Sequence, residues 1–321
     1  MYRLEDPSGF LALHSTRLGP AFGGTRVREY TSADDALADA LRLAEAMTRK
    51  YAINELPFGG GKAVLALQSI RDRRAAFEEL GDFVESLGGR FLTGSDLGVT
   101  AQDVRVMQTR TRHLETADGS EAAAESVLCA IRGALLFMRR APGLRGLTVV
   151  VQGLGALGYR LAARCAEEGA RVVAADVDAA RAARAAREVS AAIVSPAEVL
   201  SVQGDVLAPC AVGGVIHPGL VGAVRCPIVC GGANNILDTD DTARTLHEAG
   251  ITYVPDFLSN SGAAIEGAWT RLRGPGDCLR EIAAVGDRVV GLLEEAHRRG
   301  CAPLEVALET VRSRLASSGA A

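Results

Sequence analysis

Side-chain amines occur at only two positions in this sequence, twelve residues apart. Of the 35 basic residues, Lys50 and Lys62 are the lysines and the other 33 are arginines. Arginine stays charged at any ordinary pH, whereas a desolvated lysine can lose its proton and act as a base. The pair therefore indicates a site that uses an amine, while the count alone is explained equally well by chance retention in an arginine-biased sequence.

The predicted elements place both lysines beside ordered backbone. A helix is expected after Ser32, a capping residue, and Lys50 continues its apolar series at spacings of three and four. The Lys50 side chain therefore either reaches solvent from the helix end or points into a site. Lys62 ends a glycine-rich turn at residues 59–61, ahead of a strand-like segment at 63–67, and such glycines allow close approach to the backbone.

An acidic residue follows the next strand-like segment, residues 90–93. Asp96 is predicted to lie in a loop, because Thr100 with Asp103 forms the better capping pair for the following helix. Asp96 therefore has no evident structural role, and its simplest interpretation is a solvated loop carboxylate.

The strongest motif is a glycine-rich turn between a predicted strand at 147–152 and a predicted helix at 159–168. A second strand at 171–175 ends at Asp176. In this context the glycines leave room for a pyrophosphate, the helix N-terminus attracts it, and the acid binds the ribose hydroxyls. We predict NAD rather than NADP, because Asp176 repels a ribose phosphate, although Arg181 and Arg184 follow closely. The residues of the turn are Gly153, Leu154, Gly155, Ala156, Leu157 and Gly158.

Length and composition restrict the class of protein. The 321 residues, 48% hydrophobic and 23% charged, suit a globular protein of two domains. The net charge of −4 gives no basic surface for nucleic acid, and neither a signal peptide nor a membrane helix is visible. Seven scattered cysteines and five histidines without paired spacing predict reduced thiols, a cytoplasmic location and no metal site. Short Val/Leu/Ala runs alternate with helical patterns, which predicts an α/β fold.

Several further motifs resemble the leucine, valine and phenylalanine dehydrogenases, in the same order and over nearly the whole chain. The resemblance implies an α/β fold with two domains around a cleft: an α/β substrate domain and a doubly wound Rossmann NAD-binding domain. It assigns residues 1–125 to the first, 126–288 to the second and 289–321 to a C-terminal helical segment returning to the first. A homo-oligomer, at least a dimer, is also implied. The motifs are GPAFGGTR (19–26), MTRK (47–50), GGGK (59–62), TGSD (93–96), APCA (208–211), GANN (232–235) and PDFLSN (255–260).

The same resemblance implies roles in binding. Lys50 is expected to bind the substrate α-carboxylate, helped by the backbone near Gly24 and by Asn234 or its neighbour Asn235. Cofactor contacts outside the glycine turn are implied for Ser126, which is expected against the nicotinamide, and for Cys210 and Ala211.

Lys62 is implied to be the catalytic amine beside the substrate α-amino group, and Asp96 its proton-shuttling partner. Oxidative deamination moves a hydride from Cα to the nicotinamide and leaves an iminium ion, to which water adds. A proton acceptor must activate that water. Two lysines in one desolvated cleft repel each other, so we expect the pKa of Lys62 to be lowered towards neutral pH.

Substrate choice is expected to depend on Phe22, Gly94 and Ala264. Related glutamate dehydrogenases have a lysine at the position of Phe22, and an apolar ring gives a side-chain carboxylate no counter-charge, so glutamate is disfavoured. Gly94 and Ala264 are small, as are the residues at these positions in phenylalanine dehydrogenases, and they leave room for a large substrate side chain. The bulky Phe22 occupies part of that room. We predict an apolar amino acid and leave valine, leucine, phenylalanine and tryptophan open.

Two segments depart from the family pattern. Residues 118–125 replace a Gly/Pro/Ser-rich turn that many relatives have before Ser126, so we expect the hinge between the domains to differ. Glu266 stands where relatives often have a neutral Asn or His. It is either a solvated helix acid or a charge near the substrate mouth.

Three functions remain in competition at this stage. The first is an NAD-dependent dehydrogenase of an apolar L-amino acid. The second is a biosynthetic dehydrogenase with the same chemistry, dedicated to an aromatic or unusual amino acid. The third is a non-catalytic NAD-binding sensor, against which the joint presence of Lys50, Lys62 and Asp96 argues.

Overall fold

The computed structural model describes residues 1–4, 8–276 and 278–318. The chain divides into two compact units, one formed by Met1–Asp118 with Val311–Ala321 and the other by Gly119–Thr310. Both are α/β units, so the predicted fold class is confirmed. The domain boundaries that the resemblance implied, after residues 125 and 288, remain predictions.

The first unit is a mixed sheet covered by helices. Its central strand is β5, which pairs antiparallel with β2 and parallel with β3 and β4. The outer strands complete the order β1-β2-β5-β3-β6. Its elements are β1 Tyr2–Leu4, β2 Gly9–Ser15, β3 Ala21–Phe22, β4 Thr25–Arg28, α1 Ala33–Ile53, β5 Gly59–Ala66, α2 Arg73–Ser86, β6 Phe91–Leu92 and α3 Ala101–Gln108.

Successive residues of β5 face opposite sides of this sheet, as the pleat requires. Val64 packs in a core that contains Leu43 of α1. Leu65 belongs to a second core, shared with Phe77 of α2 and Met107 of α3. Burial on both faces explains why β5 is buried along its whole length. It also fixes which side of the sheet each β5 side chain reaches.

The glycines at 59–61 are the first three residues of β5 and do not form a turn, so that expectation was wrong. A Cβ added to Gly60 would lie 2.2 Å from the backbone nitrogen of Thr48 on α1. One added to Gly61 would lie 2.7 Å from the ring of Phe91 on β6. The glycines are therefore needed because neighbouring elements approach the strand too closely for side chains.

The second unit is a parallel sheet in the order β12-β11-β10-β7-β8-β9. The chain moves outward from β7 through β8 and β9, then returns to the other side of β7 as β10. The elements are α4 Ser120–Arg139, β7 Thr148–Gln152, α5 Ala156–Glu167, β8 Arg171–Ala175, α6 Ala179–Val189, β9 Ala192–Ile193, β10 Val206–Pro209, α7 Pro218–Val221, β11 Ile228–Val229, α8 Thr242–Glu248, β12 Thr252–Tyr253, α9 Asp256–Ser259, α10 Gly262–Arg273 and α11 Leu279–Arg299. The last helix, α12 Pro303–Ser317, begins in this unit and ends in the segment assigned to the first.

The reversal between β7 and β10 creates a topological switch point, where doubly wound sheets bind ligands beyond the carboxyl ends of their strands. β7 and β8 match the strands predicted for the dinucleotide motif, to within one residue. Helix α5 begins three residues earlier than predicted, inside the glycine motif, because Gly155 is its N-cap. Among the described residues, no helix is long and apolar enough to cross a membrane.

Candidate functional site

Lys62 and Asp96 form a buried ion pair in the first unit. Lys62 lies on β5 and is 5% exposed, and its Nζ is 2.6 Å from Oδ2 of Asp96. Asp96 reaches this position because the segment after β6 runs beside β4, where Thr25 bridges to Ser95. The interpretation of Asp96 as a solvated loop carboxylate was therefore wrong, because its side chain is directed at the lysine.

Arg26 is a third member of this cluster, and no sequence pattern indicated it. Its Nε donates to the same Oδ2 of Asp96 at 2.9 Å, and its Nη1 donates to Asp39 at 3.3 Å. Asp39 lies on α1 and is 7% exposed. The signal that could have revealed this partner is an acid next to Ala40, on the apolar stripe of the predicted helix.

Burial is the largest influence on the pKa of Lys62 and lowers it, because a desolvated ammonium is disfavoured. Asp96 opposes that shift, Arg26 adds to it by repulsion, and the net pKa of Lys62 is lowered. The expected desolvation is thus the largest cause, and Arg26 is a lowering charge that the sequence did not reveal. Burial alone would raise the pKa of Asp96, but Lys62 and Arg26 outweigh it and hold that pKa well below its usual range.

Gly24 lies against both members of the ion pair. A Cβ added there would lie 3.1 Å from Cβ of Asp96 and 3.3 Å from Nζ of Lys62. The backbone oxygen of Gly24 also accepts a hydrogen bond from Ala63 on β5. A glycine at this position thus keeps side-chain atoms away from the amine, beside the backbone where the resemblance implied the substrate carboxylate.

The other predicted residues of the first unit are buried. Lys50 lies in the last turn of α1 and is 7% exposed, which favours a side chain directed into a site over one extended into solvent. Phe22 on β3 stacks on Tyr51, with ring centroids 5.7 Å apart, and meets Phe58 edge-on. Gly94 has space for little more than a methyl group, since an added Cβ would meet Glu115 at 3.4 Å.

The second unit contains the predicted cofactor turn in a form that fits a dinucleotide. Gly153 has φ of 94°, and a Cβ there would lie 2.6 Å from Cβ of Ala211. Gly155 caps α5, and an added Cβ would meet only Arg181, at 3.8 Å, among the described atoms within 4 Å. Beside it lies an open cavity of about 450 Å³ that Arg181 also lines. Space, helix N–H groups and positive charge therefore coincide where a pyrophosphate is expected.

Asp176 stands at the carboxyl end of β8, as predicted. One of its carboxylate oxygens accepts from the backbone nitrogen of Leu154 at 2.6 Å and the other from that of Asp178 at 2.8 Å. Each oxygen has two acceptor positions, so both remain able to accept a ribose hydroxyl. The carboxylate thus orders the glycine turn and fits the role predicted for it.

We expect Gly158→Ala to destabilise the protein by about 1–3 kcal/mol and to weaken NAD binding. The new Cβ would lie 2.0 Å from the backbone oxygen of Gly153, so α5 and the turn must separate. Thermal unfolding and NAD titration measure the two effects. Gly291→Ala on α11 is the matched control, since its methyl meets no described atom within 4 Å. Equal stability of the two variants would contradict the packing role.

Ser126 on α4 is fully buried, and its hydroxyl is bonded within the second unit. It lies 2.9 Å from the oxygen of Ala123 and 2.8 Å from that of Ser259, and it accepts from the nitrogen of Gly262 at 2.9 Å. These bonds join α4 to the start of α10. Ser126 therefore has a structural role, and its contact with the nicotinamide remains a prediction.

The polar residues after β11 and β10 occupy the carboxyl edge of the parallel sheet. Oδ1 of Asn234 accepts from Asn260 at 3.0 Å. Asn235 has a left-handed backbone, with φ of 53°, and its buried Nδ2 has no hydrogen-bond partner among the described residues. Such a donor suits a carboxylate ligand. Cys210 follows β10, and burial raises the pKa of its thiol to about 12, so it is unsuited to act as a nucleophile.

The remaining candidates lie on helices of the second unit. Ala264 is buried on α10, and Glu266 lies partly buried on the same helix. Residues 118–125 include the first turns of α4, where Glu121 pairs with Arg160 and Arg164. The segment that replaces the expected Gly/Pro/Ser-rich turn is therefore helical from Ser120. In the described ranges, no group of three or more His, Cys, Asp or Glu residues is arranged to hold a metal.

Two family models match the chain. The Glu/Leu/Phe/Val dehydrogenase dimerisation domain matches residues 3–115, and the Glutamate/Leucine/Phenylalanine/Valine dehydrogenase model matches residues 175–267. These matches cover the segments that contain Lys62, Asp96 and Asp176.

Relatives extend the similarity to most of the chain. Leucine dehydrogenase of Thermoactinomyces intermedius is 34% identical, covering 90% of this chain and 82% of that protein. Phenylalanine dehydrogenase of Lysinibacillus sphaericus is 37% identical, covering 83% and 73%. The crystal structure of L-tryptophan dehydrogenase from Nostoc punctiforme matches with a TM-score of 0.83 and 32% identity, over 97% of this chain and 93% of that one.

Proposed function

We propose that this chain, which belongs to the Glu/Leu/Phe/Val dehydrogenase family, catalyses the reversible NAD-dependent oxidative deamination of an apolar L-amino acid to its 2-oxo acid and ammonium. It is an oxidoreductase that acts on the CH–NH2 group, and NAD is its cofactor. The observation that carries the proposal is the buried Lys62, bonded to Asp96 with a lowered pKa and bordered by Gly24.

Lys62 performs the proton transfers of this reaction. Bound NAD supplies the acceptor for the hydride that leaves Cα. Neutral Lys62 takes a proton from the water that adds to the resulting iminium carbon, and its ammonium form returns a proton to the departing nitrogen. Asp96, 2.6 Å away, stabilises the ammonium form between the two transfers. A lysine whose pKa lies near the working pH is efficient in both directions.

Substrate and cofactor are held by the remaining residues. Lys50 binds the α-carboxylate through its buried ammonium. The turn from Gly153 to Gly158 and Asp176 hold the pyrophosphate and the adenosine ribose. The buried aromatic cluster of Phe22, Tyr51 and Phe58 is an apolar wall for the substrate side chain.

We expect NAD reduction with apolar L-amino acids and at least about tenfold lower kcat/KM with glutamate, because burying an unpaired carboxylate against the Phe22 wall is costly. The measurement is absorbance of the reduced nicotinamide with a panel of valine, leucine, phenylalanine, tryptophan and glutamate. The reverse reaction uses the matching 2-oxo acids with ammonium. Glutamate as the preferred substrate would contradict the proposed pocket.

The same panel separates the other two functions. A dedicated aromatic dehydrogenase is favoured by the small residues Gly94 and Ala264 and by the similarity to an L-tryptophan dehydrogenase. It predicts turnover confined to aromatic substrates. A non-catalytic sensor predicts NAD binding without turnover in either direction, which the buried Lys62–Asp96 pair argues against.

Assembly and location complete the proposal. A homo-oligomer, at least a dimer, is supported by the match of residues 3–115 to a dimerisation domain. A cytoplasmic location is supported by the seven cysteines, which all lie in the described residues and are free thiols.

A further inference from the structure

Arg26 shares the carboxylate oxygen that Lys62 uses. Oδ2 of Asp96 accepts from Lys62 Nζ at 2.6 Å and from Arg26 Nε at 2.9 Å. The two cationic nitrogens are therefore no farther apart than these two bonds together. The Arg26 side chain is 11% exposed, so solvent screens the repulsion between the two cations only weakly.

Arg26 is anchored on its other side by Asp39 of α1. Its Nη1 donates to Oδ2 of Asp39, which also accepts from the hydroxyl of Tyr30 at 2.7 Å. Oδ1 of Asp39 accepts from Arg42 at 2.9 Å. The guanidinium thus bridges two carboxylates on different elements, a geometry that an arginine fork provides and a single ammonium does not.

We propose that Arg26 is a positioning residue for the deamination: it holds Asp96 ionised and oriented, and its charge sets the pH at which Lys62 becomes a base. The inference rests on the proposed function, because it assigns Lys62 the role of proton acceptor. Arg26 itself transfers no proton, since its own pKa is raised above an already high value.

The direction of the effect follows from the charges around Lys62. Burial and Arg26 lower the pKa of Lys62, and Asp96 and Asp39 raise it. The other titratable groups on elements packed against β5 include Lys50 on α1 and His14 on β2, whose Nδ1 lies 2.9 Å from Thr48 Oγ1. Removal of the Arg26 charge takes this repulsion away from Lys62 and leaves both carboxylates in place. The pKa of Lys62 must then rise, and a higher pH is needed to obtain the neutral amine.

The test is Arg26→Gln in the full-length protein, read out in two ways. We expect the acid limb of kcat/KM for amino-acid oxidation to move to higher pH by about one unit, a tenfold loss at a fixed pH on that limb. The second readout needs no turnover: the chain has two lysines, so lysine labelled with 15N at Nζ gives two side-chain signals. A Lys50→Arg spectrum assigns them, and the Lys62 signal should titrate higher by the same amount.

Two variants serve as matched controls. Arg42→Gln removes a cation from the same Asp39, but Arg42 is half-exposed and its donor nitrogen bonds the other oxygen. We expect Arg42→Gln to leave the acid limb within about 0.3 unit, less than a third of the shift expected for Arg26→Gln. Arg26→Lys keeps the positive charge but loses the guanidinium that bridges Asp96 and Asp39. The acid limb of kcat/KM should therefore stay near its wild-type position, while kcat falls because Asp96 is less well oriented.

The outcomes distinguish this inference from the proposed function. A wild-type protein with no turnover contradicts the proposed function, while the titration of Lys62 still tests the influence of Arg26. A folded Arg26→Gln variant with an unshifted Lys62 signal overturns the inference, as does an equal shift in Arg26→Lys. Should Arg26→Gln fail to fold, Arg26→Lys alone tests the inference. An acid limb that moves by a full pH unit in Arg26→Lys would contradict the role of the Arg26 charge. An unchanged kcat would contradict its role in orienting Asp96.

Discussion

Lys62→Arg is expected to lower kcat by about 10²–10⁴-fold or more, which amounts to loss of turnover, and to leave NAD binding intact. The guanidinium keeps a positive charge opposite Asp96, so the ion pair can persist. It stays protonated at any ordinary pH, however, and cannot accept a proton from the attacking water. The measurement is the rate of NAD reduction with the best amino acid of the panel, beside an NAD titration.

The NAD titration is informative because all predicted cofactor residues, which lie between Ser126 and Ala211, belong to the second unit, whereas Lys62 belongs to the first. If Lys62→Arg binds NAD as the wild type does and unfolds at a similar temperature, its loss of turnover is due to a lost catalytic step and not to misfolding. Retention of most wild-type turnover in Lys62→Arg would contradict the assignment of Lys62 as the base.

Asp96→Asn is expected to lower kcat by about 10²-fold or more and to move the acid limb to lower pH. Asp96 raises the pKa of Lys62, so its removal lets burial and Arg26 lower that pKa further. The neutral amine then persists to lower pH, while the partner that stabilised its protonated form is gone. The limb therefore moves opposite to the shift expected for Arg26→Gln. The measurement is the pH profile of kcat/KM for both variants.

A matched control is Asp103→Asn, which also removes a buried carboxylate of the first unit. Asp103 forms the capping box of α3 and pairs with Arg73, so its loss costs stability without touching Lys62. We expect a lower melting temperature and an unshifted limb. An acid limb that moves to higher pH in Asp96→Asn would contradict the electrostatic effect assigned to Asp96 on Lys62.

The elements with strong local signals were predicted well. Ser32 accepts from the backbone nitrogen of Asp35, and Thr100 forms both bonds of its capping box with Asp103. β8 begins and ends at the predicted residues, Arg171–Ala175. These elements depend on hydrogen bonds and apolar patterns within a few residues, and such patterns are visible in the sequence.

The misjudged features depend on contacts between distant segments. Gly60 and Gly61 suggested a turn, yet they form a strand because α1 and Phe91 pack against them. Asp96 looked like a solvated acid until β4 and β5 placed Arg26 and Lys62 beside it. Sequence spacing does not report which residues meet across a sheet, so Arg26 was missed as a cation beside Lys62.

The assignment of Lys62 as the base means that its protonation limits oxidation at low pH. It is tested most directly by titrating the 15Nζ signal of Lys62 in the wild-type protein and comparing its midpoint with the acid limb of kcat/KM. Both midpoints are expected to coincide and to lie below 10.5, the ordinary pKa of lysine. A Lys62 side chain that remains protonated throughout the pH range of full activity would contradict it.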